Sequence, residues 1–471
     1  MGEEIRKDIH VPERPVRPSS SDLWFIAYLP LSLSDGLSSP LIPLVALLLF
    51  HANAFGVTVV IAGAALSEVP FTVLWGNLSD RVRHRKYFLV ASFAAGGALL
   101  VLMALTTNLS TFFVLNVLEG LATSASAPVG TMLLLETRSK RWWPRDLGLF
   151  GVISGLGTVL GLIVGVVWFA FLPGLAVGGS VAVEAMRFLL GLSGVLSLLA
   201  AGLATLWVEE PEKRITREET LQVARRTTSV VERLRRTRRR LVYILELARG
   251  TEEGIPRGEY AFLAALFVMS VGFQVFYGPF PVFLVHGAGL TEEGVFLVYL
   301  ASALASTALF YHSGLVVEVT NPKGVFIGSL LIRALLLVGF LEVARVFTDP
   351  SWQLTASLAG LNAAMGITWA FLSTASTLFL LRLVRGPARG KALGWYNAIA
   401  GMGGLAGTLL GGAFYVLYGS MNTFLLAMAA VVAGALILVP IAYRPVPFQP
   451  PALPPIRAPS PRKATGSTGP P

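Results

Sequence analysis

Apolar runs of about twenty residues or more recur from residue 22 to residue 443, separated by short charged stretches. Coiled as a helix, such a run crosses the roughly 30 Å hydrocarbon core of a bilayer. Inside lipid each backbone N–H and C=O needs a partner within the protein, so each run has to be a helix. Strands of a membrane barrel would alternate in polarity over about ten residues, and these runs do not. The expected fold class is an all-α membrane protein of about twelve transmembrane helices. The spans read as 22–50, 56–79, 86–107, 110–135, 146–172, 182–207, 259–285, 292–313, 324–346, 352–380, 393–417 and 419–443. Only 14% of residues are charged, against about 25% in soluble domains, and the deficit lies in these runs.

The connecting stretches set an orientation. Loops 51–55, 108–109, 173–181, 286–291, 347–351 and the tight turn near 418 hold no Lys or Arg. The alternate loops are basic, with Arg81, Arg83, Arg85 and Lys86 in one, Arg138, Lys140, Arg141 and Arg145 in another, and Arg382, Arg385, Arg389 and Lys391 in a third. Basic short loops stay cytoplasmic, which puts both termini in the cytoplasm and the chain in the cytoplasmic (plasma) membrane. The domain plan is a tail at 1–21, six spans over 22–207, a charged linker at 208–258, six spans over 259–443, and a tail at 444–471. The linker holds 13 basic and 9 acidic residues. It reads either as an amphipathic helix on an anionic leaflet or as a solvated tether. The tail has ten prolines and no apolar run, a composition for extended or disordered chain. The start is too polar for a secretory signal.

Several function classes drop out. There is no cysteine, hence no disulfide, thiolate site or cysteine nucleophile. The five histidines lie near span ends without a second ligand at metal spacing. No phosphate-cradling G-x-x-x-x-G-K-S/T loop, H-E-x-x-H helix or G-x-S-x-G elbow is present. Enzyme activity, cofactors and metals are not expected. The net charge of +10 is accounted for by the basic loops, so nucleic acid is not expected as a partner.

The two sets of six spans echo each other. Gly148–Trp168 laid without gaps on Gly394–Phe414 matches Gly148, Ile153, Gly155, Gly157, Gly161 and Gly165 with Gly394, Ile399, Gly401, Gly403, Gly407 and Gly411. Gly76 and Asp80 have a second echo in Gly314 and Glu318. Parallel repeats of this kind place a solute site near the midplane between two bundles, and glycine faces let helices approach closely.

After the second span the chain reads Gly76-Asn-Leu-Ser-Asp80-Arg81-Val-Arg83-His-Arg85-Lys86. This resembles the G-x-L-x-D-R-x-G-R-R/K signature loop of the major facilitator superfamily. The twelve-span plan, the long central linker and Arg389–Gly394 before the eleventh span fit the same family, and the resemblance covers residues 22 to 443. It implies two pseudo-symmetric six-helix bundles, a secondary transporter of a small organic solute, alternating access, and a monomer in the lipid bilayer. Three departures stand out. Arg83 replaces the loop's glycine, and Asn116 precedes Gly120 where proton-coupled members carry arginine. Leu162 and Val166 replace the proline and last glycine of the antiporter motif.

By resemblance, the signature loop is a cytoplasmic gate. Asp80 would accept hydrogen bonds from a neighbouring helix N-terminus and offset an arginine, with Glu136 and Arg145 as further partners. A topological role alone for Arg81, Arg85 and Lys86 is the bland alternative.

An ionisable side chain at the bilayer centre costs at least about 2.5–3.5 kcal/mol, so such residues point to function. Asp35, Glu68 and Glu119 lie mid-span in the first, second and fourth spans. They read as a proton site, as a site for a cationic part of the solute, or as structural hydrogen bonds. With Asn116 they form the expected amino-terminal wall of a cavity. The carboxyl-terminal candidates are Gln274 and Tyr277, next to the helix-breaking Pro279 and Pro281, then Asn362, Trp369, Tyr396 and Asn397, groups suited to an organic solute. Arg333 reads as peripheral, snorkelling or paired structurally, and Arg187 as the partner of Glu184. A proton is the expected coupling ion. A passive facilitator and a non-transporting sensor remain the alternatives.

Overall fold

The computed structural model describes residues 24, 26–82, 85–137, 143–171, 181–208, 257–347, 350–384 and 389–441. The tails, nearly all of the linker, and Arg83, Arg138, Lys140, Arg141 and Arg385 lie outside the described residues. Among those described, every regular element is helical, and eleven stretches are long and apolar enough to cross a membrane. The last of them, Ala392–Leu438, has 47 residues. One helix of that length would measure about 70 Å, more than twice the bilayer core. It is parted at Gly419, whose φ of 76° and ψ of 178° are non-helical. Twelve spans result, with the tight turn where the sequence places it.

The repeat is present as contacts. In the first half, Gly157 and Gly161 of the fifth span lie against the backbone of Leu29 and Leu33 in the first. In the second half, Gly403 and Gly407 of the eleventh span lie against Phe267 and Val271 in the seventh. A Cβ at any of the four would meet a backbone carbonyl oxygen. The fourth and second spans repeat in the tenth and eighth. Asn116 donates its side-chain N–H to Val60 C=O at 2.8 Å, and Asn362 donates to Val298 C=O at 2.8 Å. One turn on, Gly120 meets Ala64 O and Gly366 meets Ser302 O. All these pairs keep the numbering offset of the ungapped glycine match on one helix and of the Gly76/Gly314 echo on the other.

The outer ends of the first and seventh spans match as well. Pro43 and Pro281 each precede a π-helical turn, at Val45–Leu49 and Phe283–Gly287. A proline removes a backbone donor and crowds the preceding turn, and a one-residue widening follows. Each turn closes through a residue with positive φ, His51 at 51° and Gly289 at 68°. The next N–H then reaches back, from Ala52 to Ala46 O at 3.0 Å and from Leu290 to Leu284 O at 2.9 Å.

Two spans differ from the sequence reading. The fourth is not continuous; Leu109–Thr123 ends and Ser126–Thr137 begins after it. Pro128 cannot donate to Ser124, and Ser124 Oγ bonds back to Leu121 O at 2.7 Å. The tenth span, with Thr374 at the matching place, runs unbroken over Trp352–Leu383. The eighth reaches Val319 rather than 313, so Gly314 and Glu318 sit in its last turns, as Gly76 and Asp80 do in Ala54–Val82.

The bundles meet at the end remote from the basic loops. Gly412 lies on Thr58, Gly165 on the ring of Phe296, and the Phe169 and Phe296 rings are 5.6 Å apart. One apolar core there joins both halves, taking in Leu37, Leu44, Phe112, Phe280 and Phe296. The basic-loop end of the first bundle has a separate core of Trp24, Tyr28, Phe93, Leu133 and Ala204. Large apolar side chains such as Leu105, Phe171 and Leu335 point outward, over 70% exposed or nearly so, as lipid contact requires.

Candidate functional site

Neighbours on its own helix aim Asp35. Ser34 Oγ donates to Ser193 O at 2.7 Å on the sixth span, and Gly36 presses on Thr158 of the fifth. Asp35, between them in sequence, projects from the other side of the helix and is exposed. Glu68 follows Ser67, which donates to Val117 O at 2.8 Å on the fourth span; Glu68 too is exposed. Glu119 is half-buried beside Gly96, one turn before Thr123. Three helices thus bring three carboxylates into electrostatic reach: Asp35 feels Glu68, and Glu119 feels both. An exposed carboxylate at mid-span belongs to a water-filled space rather than to lipid.

Asn116 and Asn362 take a different place. They are 1% and 3% exposed, and each clamps two helices through its amide N–H. Both lie beside the wall instead of on it. Of the remaining carboxyl-terminal candidates, Gln274 packs between the seventh and eleventh spans, its Oε1 accepting from Thr408 at 3.4 Å. The Tyr396 and Ser376 hydroxyls share a hydrogen bond of 2.9 Å, and Asn397 is exposed. Pro279 and Pro281 do interrupt the seventh span, which stops at Tyr277 and resumes at Phe280.

Arg333 departs most from the sequence expectation. It does not snorkel; it is 2% exposed and reaches inward from the ninth span. Its Nη1 donates to Met365 O at 3.0 Å and Thr368 Oγ1 at 3.5 Å, and Nη2 donates to Tyr277 Oη at 3.0 Å. The guanidinium carbon lies 4.7 Å from the Phe273 ring centre, 5.8 Å from Tyr277 and 5.7 Å from Trp369. Among the described residues no carboxylate pairs with it. The available signal was chemical: a mid-span arginine whose facing helices carry Tyr277 and Trp369. Arg187 likewise leaves Glu184 and donates to Thr106 O at 3.0 Å, an orphan carbonyl after the third span. Lys323 caps the end of the twelfth span, donating to Val439 O and Ile441 O at 2.7 Å each.

In the signature segment, Gly76, Asp80 and Arg81 occupy the final turns of Ala54–Val82. Arg85 opens the third span and is buried, with Lys86 half-buried beside it. Glu136 and Arg145 lie in the helices Ser126–Thr137 and Trp143–Phe171. The side chains of Asp80, Arg81, Glu136 and Arg145 are outside the described residues.

Comparison with known families decides the affiliation. The description of the Major Facilitator Superfamily matches residues 24–342. The chain belongs to this superfamily. It is a multi-pass membrane transporter of small molecules rather than an enzyme. A point mutant of the nucleoside transporter NupG is similar in fold, at 14% identity and a TM-score of 0.66, over 90% of this chain and 99% of that one. The inward open xylose transporter XylE from E. coli matches at 13% identity and 0.62, over 90% and 97%. A mutant of the peptide transporter POT in complex with sulfate matches at 13% and 0.66, over 89% and 94%. No curated protein matches by sequence. At these identities the structural neighbours establish the fold alone.

Proposed function

We propose that this superfamily member is a proton-coupled carrier of a small organic solute, working by alternating access as a monomer in the cytoplasmic membrane. Its two bundles, 22–207 and 259–443, rock about a central cavity, with the basic loops and both termini in the cytoplasm. The observation that carries the reading is the convergence of Asp35, Glu68 and Glu119, from three helices, in electrostatic reach of one another. Three carboxylates gathered at mid-span are costly to keep without a task, and a proton taken up and released on the open side supplies one. The cores support the rocking: among the described residues the bundles share a core at the end remote from the basic loops, and the first bundle has a core of its own at the other end. Gln274, Tyr277, Trp369, Tyr396 and Asn397 offer the solute its amphipathic wall. Gly76, Asp80, Arg81, Arg85, Lys86, Glu136 and Arg145 form the cytoplasmic gate.

The test is solute flux in proteoliposomes with and without an imposed pH gradient. Wild-type flux should follow the gradient, and the triple variant Asp35→Asn, Glu68→Gln, Glu119→Gln should lose that dependence. Gradient-independent flux in the wild type removes the proton and leaves a passive facilitator. Asp80→Ala should insert normally and transport slowly; wild-type rates in a well-inserted variant remove the gate.

A further inference from the structure

Arg333 is a buried charge that proton coupling leaves without a task. Its anchoring is one-sided. Nη1 is fixed by Met365 O and Thr368 Oγ1, while Nη2 has only the Tyr277 hydroxyl and Nε has no hydrogen-bond partner. Nε–H and Nη2–H together form the side edge of a guanidinium, the fork that takes a carboxylate or phosphate by two parallel hydrogen bonds. That edge is covered by one half-buried phenol, with Trp369, 45% exposed, beside it.

The repeat says where this edge lies. Phe273, under the guanidinium, holds in the seventh span the position that Asp35 holds in the first. Met365, whose carbonyl anchors Nη1, holds in the tenth the position of Glu119 in the fourth. Repeat mates related by an axis along the membrane normal stand at matching depth on opposite walls. One side of the interior is therefore acidic, and the other holds a buried cation at the same depth. A mere brace between helices needs no charge, and an unpaired buried cation is costly in a membrane protein.

We propose that Arg333 recognises an anionic group of the transported solute, a carboxylate or phosphate, which takes the Nε/Nη2 edge when the Tyr277 phenol turns aside, with an apolar or planar part of the solute against Trp369. The solute is an organic acid or zwitterion. This rests on the carrier reading above and deepens it.

The experiment is a binding titration, by thermal shift and tryptophan emission, on the purified full-length protein at pH 7. The probes are matched pairs: 3-phenylpropionate with its amide, N-acetylphenylalanine with its amide, and phenyl phosphate with phenol. In the wild type at least one acid should bind about tenfold or more tighter than its neutral partner, the scale of a paired charge-assisted contact. Arg333→Gln should erase that preference, and Arg333→Lys should keep part of it. Tyr277→Phe, which frees Nη2, should strengthen it, and keeps the proposal testable if Arg333→Gln does not fold. Acids and neutral partners binding alike or not at all, or an acid preference that survives Arg333→Gln or ignores Tyr277→Phe, overturns the assignment. Gradient-driven flux of a neutral solute defeats the Arg333 assignment alone. Acid binding without gradient dependence defeats the proton alone.

Discussion

In the amino-terminal half Gly161 rests on Leu33 and Asn116 ties the fourth span to Val60; in the carboxyl-terminal half Gly407 rests on Val271 and Asn362 ties the tenth to Val298. Between these shared fastenings the side chains part company. Asp35 and Glu119 stand in one half where Phe273 and Met365 stand in the other, and Arg333 has come in beside the latter pair. The difference separates two demands. Helix contacts in lipid depend on close backbone approach, which only small residues and a few amide donors permit, so a duplicated bundle must keep them. Asp35 is exposed where its mate Phe273 is buried, so positions away from the fastenings are free to diverge in charge and in exposure.

Paired substitutions put that separation to work. Gly161→Ala and Gly407→Ala each drive a methyl into a backbone carbonyl, and overpacking of this kind costs about 1–3 kcal/mol. Both variants should lose thermal stability by similar amounts, read as the midpoint in detergent; a large inequality would break the symmetry of the scaffold. At the wall the outcome should be unequal. Asp35→Asn is expected to slow gradient-driven uptake about tenfold, or about 1.4 kcal/mol of barrier. Phe273→Leu at the mated position should leave the response to the gradient intact, as uptake at two pH gradients will tell. Asn116→Ala and Asn362→Ala should each cost about 0.6 kcal/mol, the average worth of an interhelical hydrogen bond in a membrane. Matched small drops in midpoint are expected, with proton dependence unchanged; loss of coupling in Asn116→Ala alone would move that residue onto the wall. The smallest effect is a gain. His51 holds the left-handed conformation that its mate Gly289 adopts without strain. His51→Gly should add about 0.5 kcal/mol, strain relief less the entropy of an added glycine, seen as a slightly higher midpoint.

The spans were legible because lipid leaves the backbone no alternative to helix, and Gly419 fell where one apolar run was too long to be single. The repeat was legible where glycines are dense, over residues 148–168, and faintly at Gly76 and Asp80 against Gly314 and Glu318. In the fourth and tenth spans it rests on Asn116 and Gly120 against Asn362 and Gly366, two residues in each helix, too few to stand out without the contacts. The break after Thr123 is hidden in the sequence because Pro128 sits inside an otherwise continuous apolar run. The place of Arg333 is not legible because helix order fixes where a backbone lies, whereas a long side chain reaches past it to a neighbour's hydroxyl and carbonyl. Glu184 and Arg187 have a spacing that allows pairing, but sequence does not reveal the unfilled carbonyl of Thr106 nearby. The three carboxylates are legible by cost alone, since few side chains are so expensive at that depth.

Thr58 and Gly412 touch where the second and eleventh spans meet, at the end that holds the bundles together. Any exposure of the central space toward that end has to part them. The chain has no native thiol, so Thr58→Cys with Gly412→Cys would introduce the sole sulfhydryl pair. Oxidised, it becomes a padlock that holds the carrier shut on that side; a reducing agent is the key, and the same preparation then serves as its own control.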